Sequence, residues 1–143
     1  MDVSELRRQI LRALDDARKD ASSRRTVVDE GTRAFAAFHE NVAVPLLRQA
    51  ATVLKSEGQL FTVHAPAESV RLVSDKAPET FLELSLDTTG RELRVLGRVS
   101  LSRGRQGRIE ERPLANGKRI GDLTEADVAE FLVAELPKLI VKS

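Results

Sequence analysis

Thr80-Phe-Leu-Glu-Leu-Ser-Leu-Asp87 and Arg91-Glu-Leu-Arg-Val-Leu-Gly-Arg-Val-Ser-Leu-Ser102 decide the fold. In the first stretch Leu82, Leu84 and Leu86 alternate with Phe81, Glu83 and Ser85. In the second, Leu93, Val95, Val99 and Leu101 alternate with Arg94, Leu96 and Arg98. A period of two is that of a strand with one buried face, and Thr88-Thr89-Gly90 between the stretches is a turn. Gly97 interrupts the second run, marking a bulge or a point of close approach.

The same period extends outward on both sides. Phe61, Val63 and Ala65 alternate with Thr62 and His64, and after a turn at Pro66 to Ser69, Val70 and Leu72 alternate with Arg71 and Val73. Beyond Gly104 and Gly107, Arg108 to Leu114 forms a weaker last strand that Pro113 confines to an edge. Four or five strands with short connections predict an antiparallel β-meander over 59–115.

Helical periodicity flanks the meander. Val3, Leu6, Ile10, Ala13 and Ala17 recur at steps of three and four, giving a narrow apolar stripe. Polar Ser22 to Thr26 either continues that helix through solvent or turns it back as a helical hairpin. Phe35, Phe38 and Val42, then Leu46, Leu47, Ala50, Val53 and Leu54, form a second apolar face, and Lys55 followed by Gly58 is a C-terminal stop. Pro45 removes a backbone donor in the middle of this face, so a kink or break is expected near Val44. After Asn116-Gly117 and Gly121, Thr124-Glu125-Ala126-Asp127 resembles a capping box that opens a closing helix over 124–142. Its stripe is Val128, Phe131, Leu132 and Leu136, and Pro137 is expected to separate a last apolar turn of Leu139, Ile140 and Val141. Segregated helices and strands read as α+β, with the long N-terminal helices of 1–57 and the C-terminal helix packed on one sheet in a single domain of 143 residues.

Composition narrows the chemistry. The chain has no Cys, Tyr or Trp and only two His, so disulfides and thiolate ligands are excluded, and His39 and His64 lack the spacing of a metal-binding pair. Adjacent carboxylates such as Asp15 with Asp16 and Glu110 with Glu111 diverge on helix or strand. No catalytic, cofactor-binding or metal residues are therefore assigned, and a non-enzymatic protein is expected. With 41% hydrophobic and 31% charged residues, no apolar run of membrane-spanning length and no apolar leader, a cytoplasmic location is expected. The Ala-, Arg- and Leu-rich composition suggests a bacterial source.

Two surfaces remain as candidates. Val3, Leu6, Ile10, Ala13 and Ala17 offer a seam for self-association, favouring a homodimer that serves as an adaptor, chaperone-like or other protein-binding module. The formal charge is +1, yet Thr88 to Arg119 holds nine basic and three acidic residues, a local net of +6. Within it Arg94, Arg98, Arg103, Arg105 and Arg108 could form a patch for an anionic partner. A nucleic-acid-binding protein is the alternative that uses this patch. Against it stand Glu83 and Asp87, placed to neutralise Arg94 and Arg98, and the scarcity of aromatic stacking groups. A small-ligand-binding domain, the second alternative, requires a roomy space between helices and sheet.

Overall fold

The structure, a computed structural model, describes residues 2–103 and 106–140. Helix α1 (Val3–Phe38) passes through a single π turn (His39–Ala43) into α2 (Val44–Ser56). Strands β1 (Phe61–His64), β2 (Ser69–Ser74), β3 (Phe81–Asp87), β4 (Arg94–Arg103) and β5 (Gln106–Pro113) follow, and two short 3-10 turns lead to α3 (Glu125–Leu139). The strands pair in chain order as one antiparallel sheet, so the α+β meander expected from the alternation is what forms.

Helices cover one face of this sheet. Val70, Leu72, Leu82, Leu84, Val95 and Val99 project toward them and are at most 2% exposed, meeting Phe35, Phe38, Leu47, Leu54, Val128 and Phe131. α2 lies over β1 and β2, α3 lies over β3 and β4, and the two helices touch. Gly97 is a point of close approach rather than a bulge: it pairs regularly with Leu84 and Arg112, and a Cβ there would sit 2.6 Å from the Phe131 ring. Gly31 has the same role on α1, where a Cβ would come within 2.5 Å of Leu93.

Three local expectations are resolved, the last of them by correction. Of the two courses open to Ser22 to Thr26, the helix continues and no helical hairpin forms; Thr26 donates its hydroxyl to the Ser22 carbonyl at 3.2 Å, satisfying a polar side chain within the helix. The interruption expected near Val44 takes the form of the π turn, and α2 opens directly after that turn, its first turn holding Pro45. The turn before it is widened, with Val44 N–H bonding to His39 O, which gives the proline ring space that a regular turn denies it. Pro137 lies inside α3 only two residues before its end, so the helix continues to Leu139 and no separate turn forms; Val141 lies outside the described residues.

The capping box at Thr124 forms as expected. Thr124 Oγ1 accepts from Asp127 N–H at 3.3 Å and Asp127 Oδ2 accepts from Thr124 N–H at 2.9 Å. The backbone N–H of Thr124, with Lys118 Nζ at 3.1 Å, holds the Asp127 carboxyl below its ordinary value.

Candidate functional site

The anchored part of α1 begins at Arg24. Its guanidinium donates to the carbonyl oxygens of Thr88, Gly90 (2.6 Å) and Arg91 (3.4 Å) in the β3–β4 connection. Val27, Val28, Gly31 and Ala34 are half-buried, and Phe35 and Phe38 are buried. Before Arg24 the situation reverses. Every residue from Asp2 to Ser23 is exposed, and at about 1.5 Å per residue the helix runs about 32 Å beyond the sheet domain. Asp2 caps its start, accepting from Ser4 N–H at 3.2 Å.

Val3, Leu6, Ile10, Ala13 and Ala17 all lie on this overhang. Val3 is 80%, Leu6 44% and Ile10 50% exposed, and Leu14 beside them is 47% exposed. At about 100° per residue the five stripe positions point within about 40° of the direction of Phe35. The stripe is thus the outward continuation of the face by which α1 grips its own core. No other element among the described residues covers it.

The arginine-rich strands are arranged differently. Arg94 and Arg98 lie on the open face of β4, whereas Arg108 lies opposite Leu101 on the helix-side face of β5, so the three do not form one patch. The side chain of Arg103, and Arg105 altogether, lie outside the described residues. Arg94 pairs with Glu92 rather than with Asp87, and this contact, reinforced by Arg119 at 3.9 Å, holds the Glu92 carboxyl below its ordinary value. Asp87 turns to the hydroxyl and N–H of Thr89 and is lowered by them.

Arg98 is one rung of a row crossing four strands: Arg71, Glu83, Arg98 and Glu111 face one another in register. Arg71 Nη2 lies 2.8 Å from Glu83 Oε2, Arg98 Nη1 lies 3.7 Å from Glu83 Oε1, and Arg98 Nε lies 2.9 Å from Glu111 Oε1. The Arg71 guanidinium also sits 4.1 Å from the centre of the Phe81 ring. Two arginines over one carboxylate explain how Glu83 can be 6% exposed on a face that no helix covers.

A second charged group lies at the far edge of the sheet. α3 presents Glu135 inward, and Arg112 Nε approaches its Oε1 at 3.3 Å while stacking on Phe131 at 4.7 Å. Lys138 lies 3.0 Å from Glu135 and 3.2 Å from Glu110, and those carboxylates raise its ammonium above the ordinary value, Glu135 first. Arg108 closes the row on Glu110 at 3.2 Å. The alternation did not single out Glu135, Arg71 or Arg112. The one available signal was that Glu135 falls four residues after Phe131 on the inward stripe.

The histidines are apart. His39 bonds through Nε2 to the Ser69 carbonyl at 2.8 Å and packs on Phe35, tying the π turn to the start of β2, while His64 is exposed on β1. Among the described residues, no three His, Cys, Asp or Glu side chains are grouped to hold a metal ion, and no helix is long and apolar enough to cross a membrane. The space between helices and sheet is filled by Phe35, Phe38, Leu84 and Phe131, all at most 4% exposed. An open groove of about 730 Å³ lies outside it, between His39, Pro45, Arg48 and Ala65. After the β5 edge, Ala115 and Asn116 adopt φ of 50° and 59°, a left-handed pair continued by Gly117 at 79°.

No family model, no curated protein and no solved structure matches this chain.

Proposed function

We propose that the chain is a non-enzymatic, cytosolic protein-interaction module, of the adaptor or chaperone-like kind, that works as a homodimer through the overhang of α1. The reading is carried by one observation: a helix of 36 residues leaves its first 21 outside the domain with the apolar stripe exposed along them. An amphipathic helix gains most of its stability from whatever covers its apolar face. The competing nucleic-acid reading needs cations available to phosphates, and Arg94, Arg98 and Arg108 each hold a carboxylate. Light scattering on the full chain and on a chain starting at Ser23 tests the proposal, since Arg24 and the buried residues are kept in both. Twice the monomer mass for the full chain and a monomer for the shortened one are expected. Equal masses would refute the role of the overhang.

A further inference from the structure

The stripe carries information about how a second copy would lie on it. Its heptad positions are occupied unevenly: the large residues Val3, Leu6 and Ile10 fill the outer half, and the small residues Ala13 and Ala17 fill the half nearest the domain. The next position, Asp20, ends the apolar run. Arg24, Gly31, Phe35 and Phe38, which contact the sheet domain, continue along the same face.

That continuity decides between the two directions in which a pair can form. Parallel helices related by a two-fold axis would press their stripes together and bring both sheet domains to one end. Each domain sits on the stripe face from Arg24 onward, so both would claim the same space between the helices. Antiparallel helices avoid this. The partner's overhang then occupies the layer that the sheet domain occupies further along α1, and its first turn ends where the domain begins.

Residue size agrees. In an antiparallel pair, heptad positions of the two kinds meet across the seam. Setting Ile10 against the partner's Ala13 sets Leu6 against the partner's Ala17 and Val3 against the partner's Asp20. Of the large stripe residues, Leu6 and Ile10 then each meet an alanine, the alternation that fills a seam without voids, and Asp20 faces Val3 where the apolar run ends beside the domain. Charge is the smaller consideration. A parallel pair would gain Asp2 with the partner's Arg7, while the antiparallel one brings Gln9 to the partner's Asp16 and Asp2 within about one turn of the partner's Arg24. Asp2, Glu5, Asp16 and Asp20 lie along one flank and Arg7, Arg18 and Arg25 along the other, with Arg8, Arg12, Asp15 and Lys19 behind. An antiparallel pair therefore lines up like flanks, but exposed charges weigh little beside the exclusion of two folded domains from one volume.

We infer that two copies of this chain join as an antiparallel pair of α1 overhangs, in the register Leu6 to the partner's Ala17, with the sheet domains at opposite ends. The inference rests on the homodimer reading above and specifies the partner surface and its direction.

Because the chain has no cysteine, single introduced thiols report the arrangement directly. Full-length Leu6→Cys, Ala17→Cys and, on the far side of the helix, Arg8→Cys are oxidised singly and as equal mixtures, with the mass of each reduced protein measured by light scattering. An antiparallel pair gives a Leu6→Cys with Ala17→Cys disulfide roughly tenfold faster than either protein alone or any mixture with Arg8→Cys. Disulfides forming fastest within Leu6→Cys alone and within Ala17→Cys alone would overturn the direction in favour of a parallel pair. A dimer mass with no preferred disulfide would overturn the register. Monomer mass for all three reduced variants and for the unsubstituted chain would remove the homodimer reading itself.

Discussion

The two parts of α1 have similar patterning and opposite surroundings. From Arg24 to Phe38 the apolar face is sealed by the sheet domain, down to Phe35 at 1% exposure; from Val3 to Ser23 the same face is open, with Ile10 at 50%. The difference lies in what covers the helix rather than in its propensity. Amphipathic spacing gives a helix an apolar face and is silent on what covers it.

Substitutions that separate the two parts sharpen this contrast. Phe35→Ala is expected to cost about 3–5 kcal/mol in urea unfolding because it opens a cavity in the core, whereas Ile10→Ala leaves the unfolding of the sheet domain unchanged and lowers only the dimer fraction. Equal losses for the two would break the distinction. Gly31→Ala, which improves helix propensity, is nevertheless expected to destabilise by about 1–3 kcal/mol, because its methyl group would meet Leu93 at 2.5 Å. Thermal melts that rise instead would show that Leu93 gives way.

Charged pairs draw the same line. Glu83→Ala strips Arg71 and Arg98 of a shared, 8%-exposed carboxylate and is expected to cost about 1–2 kcal/mol. Asp15→Ala, which breaks the exposed pair with Lys19 on the overhang, is expected to cost less than about 0.5 kcal/mol in the same denaturation experiment.

Helix caps complete the series. Thr124→Ala is expected to cost about 1 kcal/mol in chemical denaturation, while Asp2→Ala, capping an end that no core depends on, leaves the sheet domain's midpoint unmoved. The lowered carboxyl of Asp127 sets the sign with pH: its contribution is complete above the unfolded value, about 3.9, and is lost as pH falls through the lower folded value. Comparing Asp127→Asn with the unsubstituted chain from neutral to acid pH should therefore show a stability gap that closes on the acid side.

The contrast also explains what could be read in advance. Strand order, the inward leucines and valines, the edge position of Pro113, the Gly58 stop and the Thr124 box were legible because each is set by neighbours a few residues away. The path of α1 was not. Ser22 to Thr26 has turn-forming residues whose hydroxyls can equally bond back within a helix, and Pro45 is preceded by one widened turn in which His39 reaches Ser69 across 30 residues. In the candidate site the helical period that puts Val3 to Ala17 on one face was readable. The division of Arg94 and Arg98 from Arg108 between two sheet faces was not, because it depends on the register of β4 with β5. Glu135 was hidden for a similar reason, since its inward position is tolerable only with Arg112 arriving from a strand far away in the sequence.

Hydrogen exchange read along α1 at several protein concentrations tests the central claim most directly, because both parts of the helix are measured in one molecule. Amides of 24–38 should be protected at every concentration. Those of 5–21 should gain protection as concentration rises and lose it in Ile10→Asp. Protection of 5–21 that is the same at all concentrations and survives Ile10→Asp would contradict the account.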